Sequence, residues 1–289
     1  MAEPAASRLR ALLAGPGLLT LPGCHDALSA RLVEAAGHPA AYVSGFGTAA
    51  AAYGLPDTGL IGFAETLDRA AALAAAVTIP LVADADTGYG NELNVQRTVR
   101  AFARAGLAGI QLEDQVWPKR CGHVDGGAVV SLGEATRRIR AAVDARAEGD
   151  IVVVARTDAR ASLGFEAALE RCLAFVEEGA DVIFLEAPTS REELERLAAA
   201  VDAPLLVNQI EGGRTPVLPP AELERLGFEI ALYPLTLLRV VTGALRDHLA
   251  RGQAPGTFAP YGGEPSFEEL KAIVGFGDHD RRLARYRSG

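Results

Sequence analysis

The sequence predicts a (β/α)8 barrel, a TIM barrel, with a C-terminal helical extension, and three observations carry that reading. Eight apolar runs of strand length recur along the chain; most are apolar almost throughout rather than alternating; and Ala- and Leu-rich segments of helical periodicity lie between them. Parallel strands covered on both faces require such continuous runs, because neither face meets water. Eight strands alternating with helices over roughly 230 residues, with no linker or composition break, suit a closed barrel better than the alternative, a doubly wound open sheet. The expected organisation is one domain over residues 1–289, with everything from about residue 235 onward forming the helical tail.

The runs are "LLTLP" near 18, "AAYVSG" near 40, "IPLVADAD" near 79, "AGIQLED" near 108, "IVVVARTD" near 151, "DVIFLEA" near 181, "PLLVNQ" near 204 and "EIALYP" near 229. Helix punctuation falls between them. Ser131 with Glu134, and Ser190 with Glu193, match the S-x-x-E capping box, in which both side chains satisfy orphan backbone donors. Gly37, Gly106, Gly179 and Gly227 follow helical stretches, where a left-handed cap favours glycine. Phe165, Ala168, Leu169, Cys172 and Val176 share one helix face, so Cys172 reads as core. In the tail, "GQAPGTFAPYGGEP" reads as irregular, and pattern alone does not place the helices around it.

Composition narrows the function. With 28 basic and 37 acidic residues the net charge is -9, and no cluster of Lys and Arg marks a helix or loop, which argues against nucleic acid or an anionic membrane as partner. Small anions would have to bind in a local pocket or through a bound cation. No run reaches the roughly 18 apolar residues of a membrane span. Three scattered cysteines make neither a disulfide framework nor a structural zinc site, so a cytoplasmic, reducing setting is expected. Arg8 and Arg10 before "ALLAGPGLLTLPGC" imitate an export signal ending at a lipid-modified Cys24, but Gly15, Pro16, Gly17 and Pro22 interrupt it, and the barrel needs this stretch for its first strand.

In such a barrel the carboxyl ends of the strands meet at one face, where polar groups cost burial energy that structure alone rarely repays. Ser44 and Gly45 close the second run, Asp84 and Asp86 the third, Glu113 and Asp114 the fourth, Arg156 and Asp158 the fifth, Glu186 the sixth and Asn208 the seventh. Asp84 and Asp86, two apart in an extended stretch, point to the same face. With Glu113 they make a hard oxygen site suited to Mg2+, with Mn2+ also acceptable; capping of the next turn is the structural alternative. Arg156 offers a planar fork for a carboxylate, or else an internal ion pair with Asp158 or Glu186.

After "AGIQLED" about 17 residues pass before the Ser131 cap, whereas ordinary strand-to-helix loops take roughly 2 to 6. This excursion holds "PKRCGH". Lys119, Arg120 and His123 surround Cys121 in a polar loop, which favours a reactive thiol over an apolar filler. Cys24 reads as packing, and His25 and His38 lack ligand spacing. The stretch "SGFGTAA" matches a dinucleotide fingerprint, but it follows the second strand, and no acidic strand end arrives about 20 residues later as ribose recognition would require.

Taken together, "LPDTG", "DADTGYGN", "LEDQVWPKRCGH", "ARTDA", "FLEA", "EGGRTP" and "ALYPL", in this order, resemble the isocitrate lyase and phosphoenolpyruvate mutase superfamily across residues 20–250. The Lys-Arg-Cys-Gly-His block is similar to the gating loop of the lyases, and the chain resembles the branch of 2-methylisocitrate lyase, dimethylmalate and alkylmalate lyases, and carboxyphosphonoenolpyruvate mutase. One departure is that Asn208 is followed by "QIEGG" where methylisocitrate lyases typically continue with Thr-Glu-Phe-Gly. This shifts the reading away from a tricarboxylate and toward an alkylmalate or a phosphorus-handling mutase.

The resemblance implies a Mg2+-dependent lyase that splits a 2-hydroxy di- or tricarboxylate into a 2-oxo acid and a second acid through an enolate. Asp84 would hold the metal directly or through water, with Asp86 and Glu113 ordering its water shell; Ser44, the Gly45 backbone and Arg156 would fix the first carboxylate. Cys121 would protonate the enolate, with Lys119 and Arg120 biasing its thiol. Asn208, Glu186, Gly122 and His123 are the implied contacts of the distal carboxylate, with Asp57 as a further polar contact. The alternatives are a phosphonomutase and an oxaloacetate decarboxylase or hydrolase. A homotetramer, a dimer of helix-swapped dimers, is also implied.

Overall fold

Strand propensity and continuous apolarity produce all eight expected strands: β1 (Leu19–Cys24), β2 (Ala41–Val43), β3 (Leu81–Asp84), β4 (Gly109–Glu113), β5 (Val152–Thr157), β6 (Val182–Leu185), β7 (Leu205–Asn208) and β8 (Ile230–Tyr233). They pair in parallel and in chain order, and β8 closes on β1 with Leu19 opposite Ile230. The architecture is a computed structural model that describes residues 3–122, 127–146, 150–251 and 262–287. Helix α1 (Ala5–Leu13) precedes the barrel. Around it run α2 (Ala27–Ala35), α3 (Gly45–Tyr53), α4 (Phe63–Ala76), α5 (Glu92–Arg104), α6 (Leu132–Arg146), α7 (Ala159–Leu163), α8 (Phe165–Glu177), α9 (Arg191–Ala200) and α10 (Pro220–Leu226). The tail forms α11 (Thr236–Leu249), α12 (Phe267–Ile273) and α13 (Phe276–Arg287).

The strand period of two splits the core into two shells. Leu21, Tyr42, Val82, Val152, Val154, Phe184, Leu206 and Leu232 fill the barrel interior, while Val43, Ala83, Ile110, Leu112, Val153, Ile183 and Val207 face outward against the helices. The same parity continues at the strand ends. Ser44, Asp84, Glu113, Arg156, Glu186 and Asn208 each stand an even number of residues from an interior position or alternate with outward ones, so all six belong to the inner face. At the opposite end, α1 closes the barrel: Leu9 joins the interior cluster, and Arg10 reaches Asp181 at 2.7 Å and the Ile151 carbonyl at 3.3 Å. The sequence reading had assigned no helix to this segment.

Two local expectations change. The helix starts at Ser131 and Ser190 are capped by serine alone: each hydroxyl accepts from the amide three residues on, at 3.2 Å. Glu134 turns instead to Arg138, and Glu193 to Arg160 and to the Thr189 amide, one residue before the cap. Asp86 is not in extended backbone. Its φ is 49°, and its amide donates to Asp84 Oδ1 at 3.0 Å, so the chain turns directly after β3, a left-handed conformation that aspartate tolerates. The four expected helix-terminal glycines, Gly37, Gly106, Gly179 and Gly227, do take positive φ.

Candidate active site

The inner-face polar residues converge on a cavity of about 50 Å³ at the carboxyl end of the strands. Ser44, Asp84, Arg156, Glu186 and Asn208 line it from the strand ends, Asp57 from the loop between α3 and α4, and Lys119, Cys121 and Gly122 from the excursion after β4. Phe46, Ile210, Pro234 and Leu235 add an apolar wall that the sequence reading had not singled out. Gly45 packs beside it: a Cβ there would lie 2.7 Å from Asp84 Oδ2. Ser44 caps α3, its Oγ accepting from the Gly47 amide at 3.0 Å, so the first amides of α3 face the strand ends as donors suited to an anion.

Each charged group has a defined partner. Arg156 grips Asp158 through Nε (2.9 Å) and Nη2 (2.7 Å), with Glu186 at 3.2 Å and Glu113 at 3.5 Å, so the internal ion pairs weighed for it are present. Lys119 Nζ lies 2.5 Å from Asp57 and 2.9 Å from Asp86. Burial opposes its charge, yet the surrounding Asp86, Glu113, Asp84 and Asp57 outweigh that and hold the ammonium well above the ordinary lysine range. This ammonium is therefore engaged by carboxylates. Arg120 is exposed, with its backbone clamped by the Gln115 side-chain amide at 2.8 Å in both directions. Asp57, expected as a substrate contact, lines the cavity and pairs with Lys119. His123 lies outside the described residues.

Six carboxylates (Asp57, Asp84, Asp86, Glu113, Asp158, Glu186) thus surround two cations, Lys119 and Arg156. Burial favours the neutral form of three of them. It pushes Asp86 up to about 6 against the pull of Lys119, and raises Glu113 and Asp158 against the pull of Arg156. Glu113 Oε1 is buried with no hydrogen-bond partner among the described residues. An excess of buried carboxylate oxygen with one such atom fits a hard divalent cation. Among the described residues no group of three or more His, Cys, Asp or Glu side chains forms a ready-made chelate. The donor set therefore fits Mg2+ held by one or two carboxylates and water rather than a caged ion.

Sequence reasoning missed Tyr42 because it sits inside an apolar strand. Its phenol is buried, and burial, with Asp84 next, keeps it well above the ordinary tyrosine range, so it stays neutral. Asn208 Nδ2 donates to Glu186 Oε2 at 3.2 Å, so these two side chains act as a pair. Cys24 and Cys172 are buried as expected, the former pushed up to about 12 by burial. The "SGFGTAA" stretch is the capped start of α3.

A closed parallel barrel with acids, a buried arginine and a loop cysteine at its carboxyl face defines a barrel enzyme with its chemistry at the strand ends. The chain belongs to the phosphoenolpyruvate phosphomutase family, which it matches over residues 9–251. It is 47% identical over 242 residues to 2,3-dimethylmalate lyase of Eubacterium barkeri, covering 84% of each chain. It is 40% identical over 285 residues to the chloroplastic carboxyvinyl-carboxyphosphonate phosphorylmutase of Arabidopsis thaliana, covering 97% of this chain and 84% of the relative. Oxaloacetate acetylhydrolase bound to the inhibitor 3,3-difluorooxalacetate superposes with a TM-score of 0.93 at 38% identity, covering 100% and 99% of the two chains. Phosphonopyruvate hydrolase, in a complex with oxalate and Mg2+, superposes with a TM-score of 0.85 at 32% identity, covering 99% of each.

Proposed function

We propose that this enzyme is a Mg2+-dependent carbon-carbon lyase that cleaves a 2-hydroxy dicarboxylate of the alkylmalate type into a 2-oxo acid and a second carboxylic acid. The observation that carries the reading is the joint lining of one cavity by Cys121, Gly122, Asp84 and Arg156. A proton donor on the excursion thereby faces an anion clamp on the strand ends. The apolar wall of Phe46, Ile210, Pro234 and Leu235 supports an alkyl substituent rather than a third carboxylate. Similarity to a dimethylmalate lyase agrees with that choice.

The amides that open α3, with Ser44 and Arg156, bind the C1 carboxylate of the substrate. Tyr42, neutral, donates toward the oxygen on C2. Asp84, with Asp86 and Glu113 behind it, would hold Mg2+, which when bound supplies a Lewis-acidic sink for the charge that develops on the 2-oxo acid. The Asn208–Glu186 pair and the Gly122 backbone orient the distal carboxylate. A base at the cavity takes the hydroxyl proton, the C2 oxygen forms the carbonyl of the 2-oxo acid as the C2–C3 bond breaks, and the electron pair of that bond stays on C3 as the enolate of the second acid; the Cys121 thiol delivers a proton to C3 from the excursion side. A thiol suits this because its ordinary pKa of about 8.5 lies close enough to neutrality for both forms to be reached.

Oligomer formation belongs to the same proposal. No residue of α11 is buried, and Val240, Leu245 and Leu249 stay 63%, 58% and 65% exposed. Exchange of this helix between neighbouring barrels, in a homotetramer, would cover them. A reducing, cytoplasmic setting is consistent with three cysteines outside any disulfide.

The test is turnover of a panel of alkylmalates, methylisocitrate and isocitrate with Mg2+, read as 2-oxo acid by hydrazone formation, with and without chelator. Chelation should abolish activity reversibly. A second reading, oxaloacetate hydrolysis, is favoured by the TM-score of 0.93 to oxaloacetate acetylhydrolase, and oxalate release from oxaloacetate would select it. Phosphorus rearrangement on a phosphonate without any lyase turnover would replace both.

A further inference from the structure

An arginine on the buried face of an outer barrel helix is costly unless something holds its charge. Arg171 stands on α8 among Phe165, Ala168, Cys172 and Phe175, at 5% exposure. Its Nη1 donates to Asp114 Oδ2 at 2.8 Å and its Nη2 to the Val130 carbonyl at 2.7 Å. Asp114 is itself buried; its Oδ2 also accepts from Thr157 Oγ1 at 2.7 Å, and its Oδ1 accepts from the Asp158 amide at 2.9 Å. Asp158 in turn accepts from Nε and Nη2 of Arg156.

By strand parity Thr157 points away from the barrel interior, so this cluster lies on the outer side of the wall that carries Arg156. It also fixes the base of the excursion. Val130 donates its amide to the Asp114 carbonyl at 2.9 Å, and one step inward Val116 bonds Ala128 at 2.8 Å. A single guanidinium thus joins the backbone that sets Arg156 to the stem from which Cys121 and Gly122 are presented.

We propose that Arg171 is a positioning residue that keeps the Arg156 clamp and the cysteine-bearing excursion in mutual register, and so acts on the reaction without touching substrate. This rests on the lyase reading above. Fold stability alone does not ask for an ion pair here, since well-packed apolar residues of similar volume often serve equally well or better. Lysine at this position keeps the charge and can reach Asp114, but its single ammonium lacks the planar fork that spans Asp114 and the Val130 carbonyl together.

The experiment compares wild type, Arg171→Lys and Arg171→Gln by thermal melting, by calorimetric titration with oxalate and Mg2+, and by kcat and KM on the substrate found in the panel. The expected result is a folded Lys variant whose oxalate affinity falls about tenfold and whose kcat falls by roughly 10- to 100-fold, the scale of a slight misplacement of reacting groups. Glutamine, which keeps a donor but loses the charge, should behave the same or worse, and reports the effect if the Lys variant does not fold. Oxalate affinity and kcat both within twofold of wild type in either folded variant would overturn the proposal and leave Arg171 a structural residue. A wild type that neither binds oxalate nor cleaves any member of the panel would instead overturn the lyase reading, and this inference with it.

Discussion

Gly122 lies against Arg156 so closely that a Cβ on it would stand 2.6 Å from the guanidinium Nη2. The same Cβ would meet Asp158 Oδ1 and Glu186 Cγ at 2.6 Å. These are not flexible ends that move aside cheaply, since each is buried and tied into the ion-pair cluster. The backbone of the excursion therefore packs on the anion clamp because its residue there has no side chain.

Gly122→Ala should consequently lift the excursion off the strand ends. We expect kcat/KM to fall by about 100-fold, since small misplacements of reacting groups cost that much. The melting temperature should stay within a few degrees of wild type, because the barrel core is untouched. Steady-state kinetics alongside a thermal melt checks both, and an alanine variant with full activity would show that the contact plays no part in turnover.

Asp86 makes a prediction about pH. Burial raises it from 3.8 to about 6 in the folded chain, so between those values the folded state binds more protons than the unfolded state. Stability then falls as pH rises through that window: the contribution is fully present below about 4 and lost by about pH 6. Urea denaturation of chelator-treated protein from pH 4 to 7, with Asp86→Asn as the non-titrating control, isolates the effect. Wild type should gain on the Asn variant as pH drops, whereas a difference that stays flat would place the Asp86 pKa near its ordinary value.

How far the sequence reveals this site depends on the range of the interaction that makes each part. The barrel and the placing of Ser44, Asp84, Glu113, Arg156, Glu186 and Asn208 at the strand ends were legible, because strand parity and the meeting of strand ends at one face are local rules acting eight times over. The turn at Asp86 was not, since a left-handed aspartate leaves little signal in its neighbours. Tyr42 was hidden in an apolar strand. Arg171 was hidden for the opposite reason: its partners Asp114 and Val130 lie 57 and 41 residues away, and only the closed barrel brings them together. The pairing of Lys119 with Asp57 is likewise a contact between two loops, which no periodicity encodes.

Cys121→Ser tests the proton donor. A serine hydroxyl retains the shape and a hydrogen bond but holds its proton far more tightly than a thiol, so protonation of C3 should slow. The expected fall in kcat is about 100- to 10,000-fold. Oxalate, which occupies the clamp side of the cavity in this reading, should still bind with near wild-type affinity, and titration calorimetry reads that directly. Near-normal turnover in the serine variant would remove the acid role from Cys121.

The tail supplies the last prediction. An outer helix of a barrel ordinarily buries an apolar stripe against the strands, but α11 buries no residue while presenting Val240, Val241, Leu245 and Leu249 to solvent. It also walls an open surface groove with Phe46, Ala50 and Ala51 of α3. Large exposed apolar patches tend to mark association sites, and Phe267 of α12 and Phe276 and Tyr286 of α13 are exposed as well. Because Phe46 lines both this space and the catalytic cavity, covering the face should also steady the substrate wall. Light scattering after gel filtration should give four chains per particle for wild type, and Val240→Glu with Leu245→Glu should yield smaller species with barrel circular dichroism intact and activity reduced. A monomeric wild type with full activity would show that α11 works uncovered.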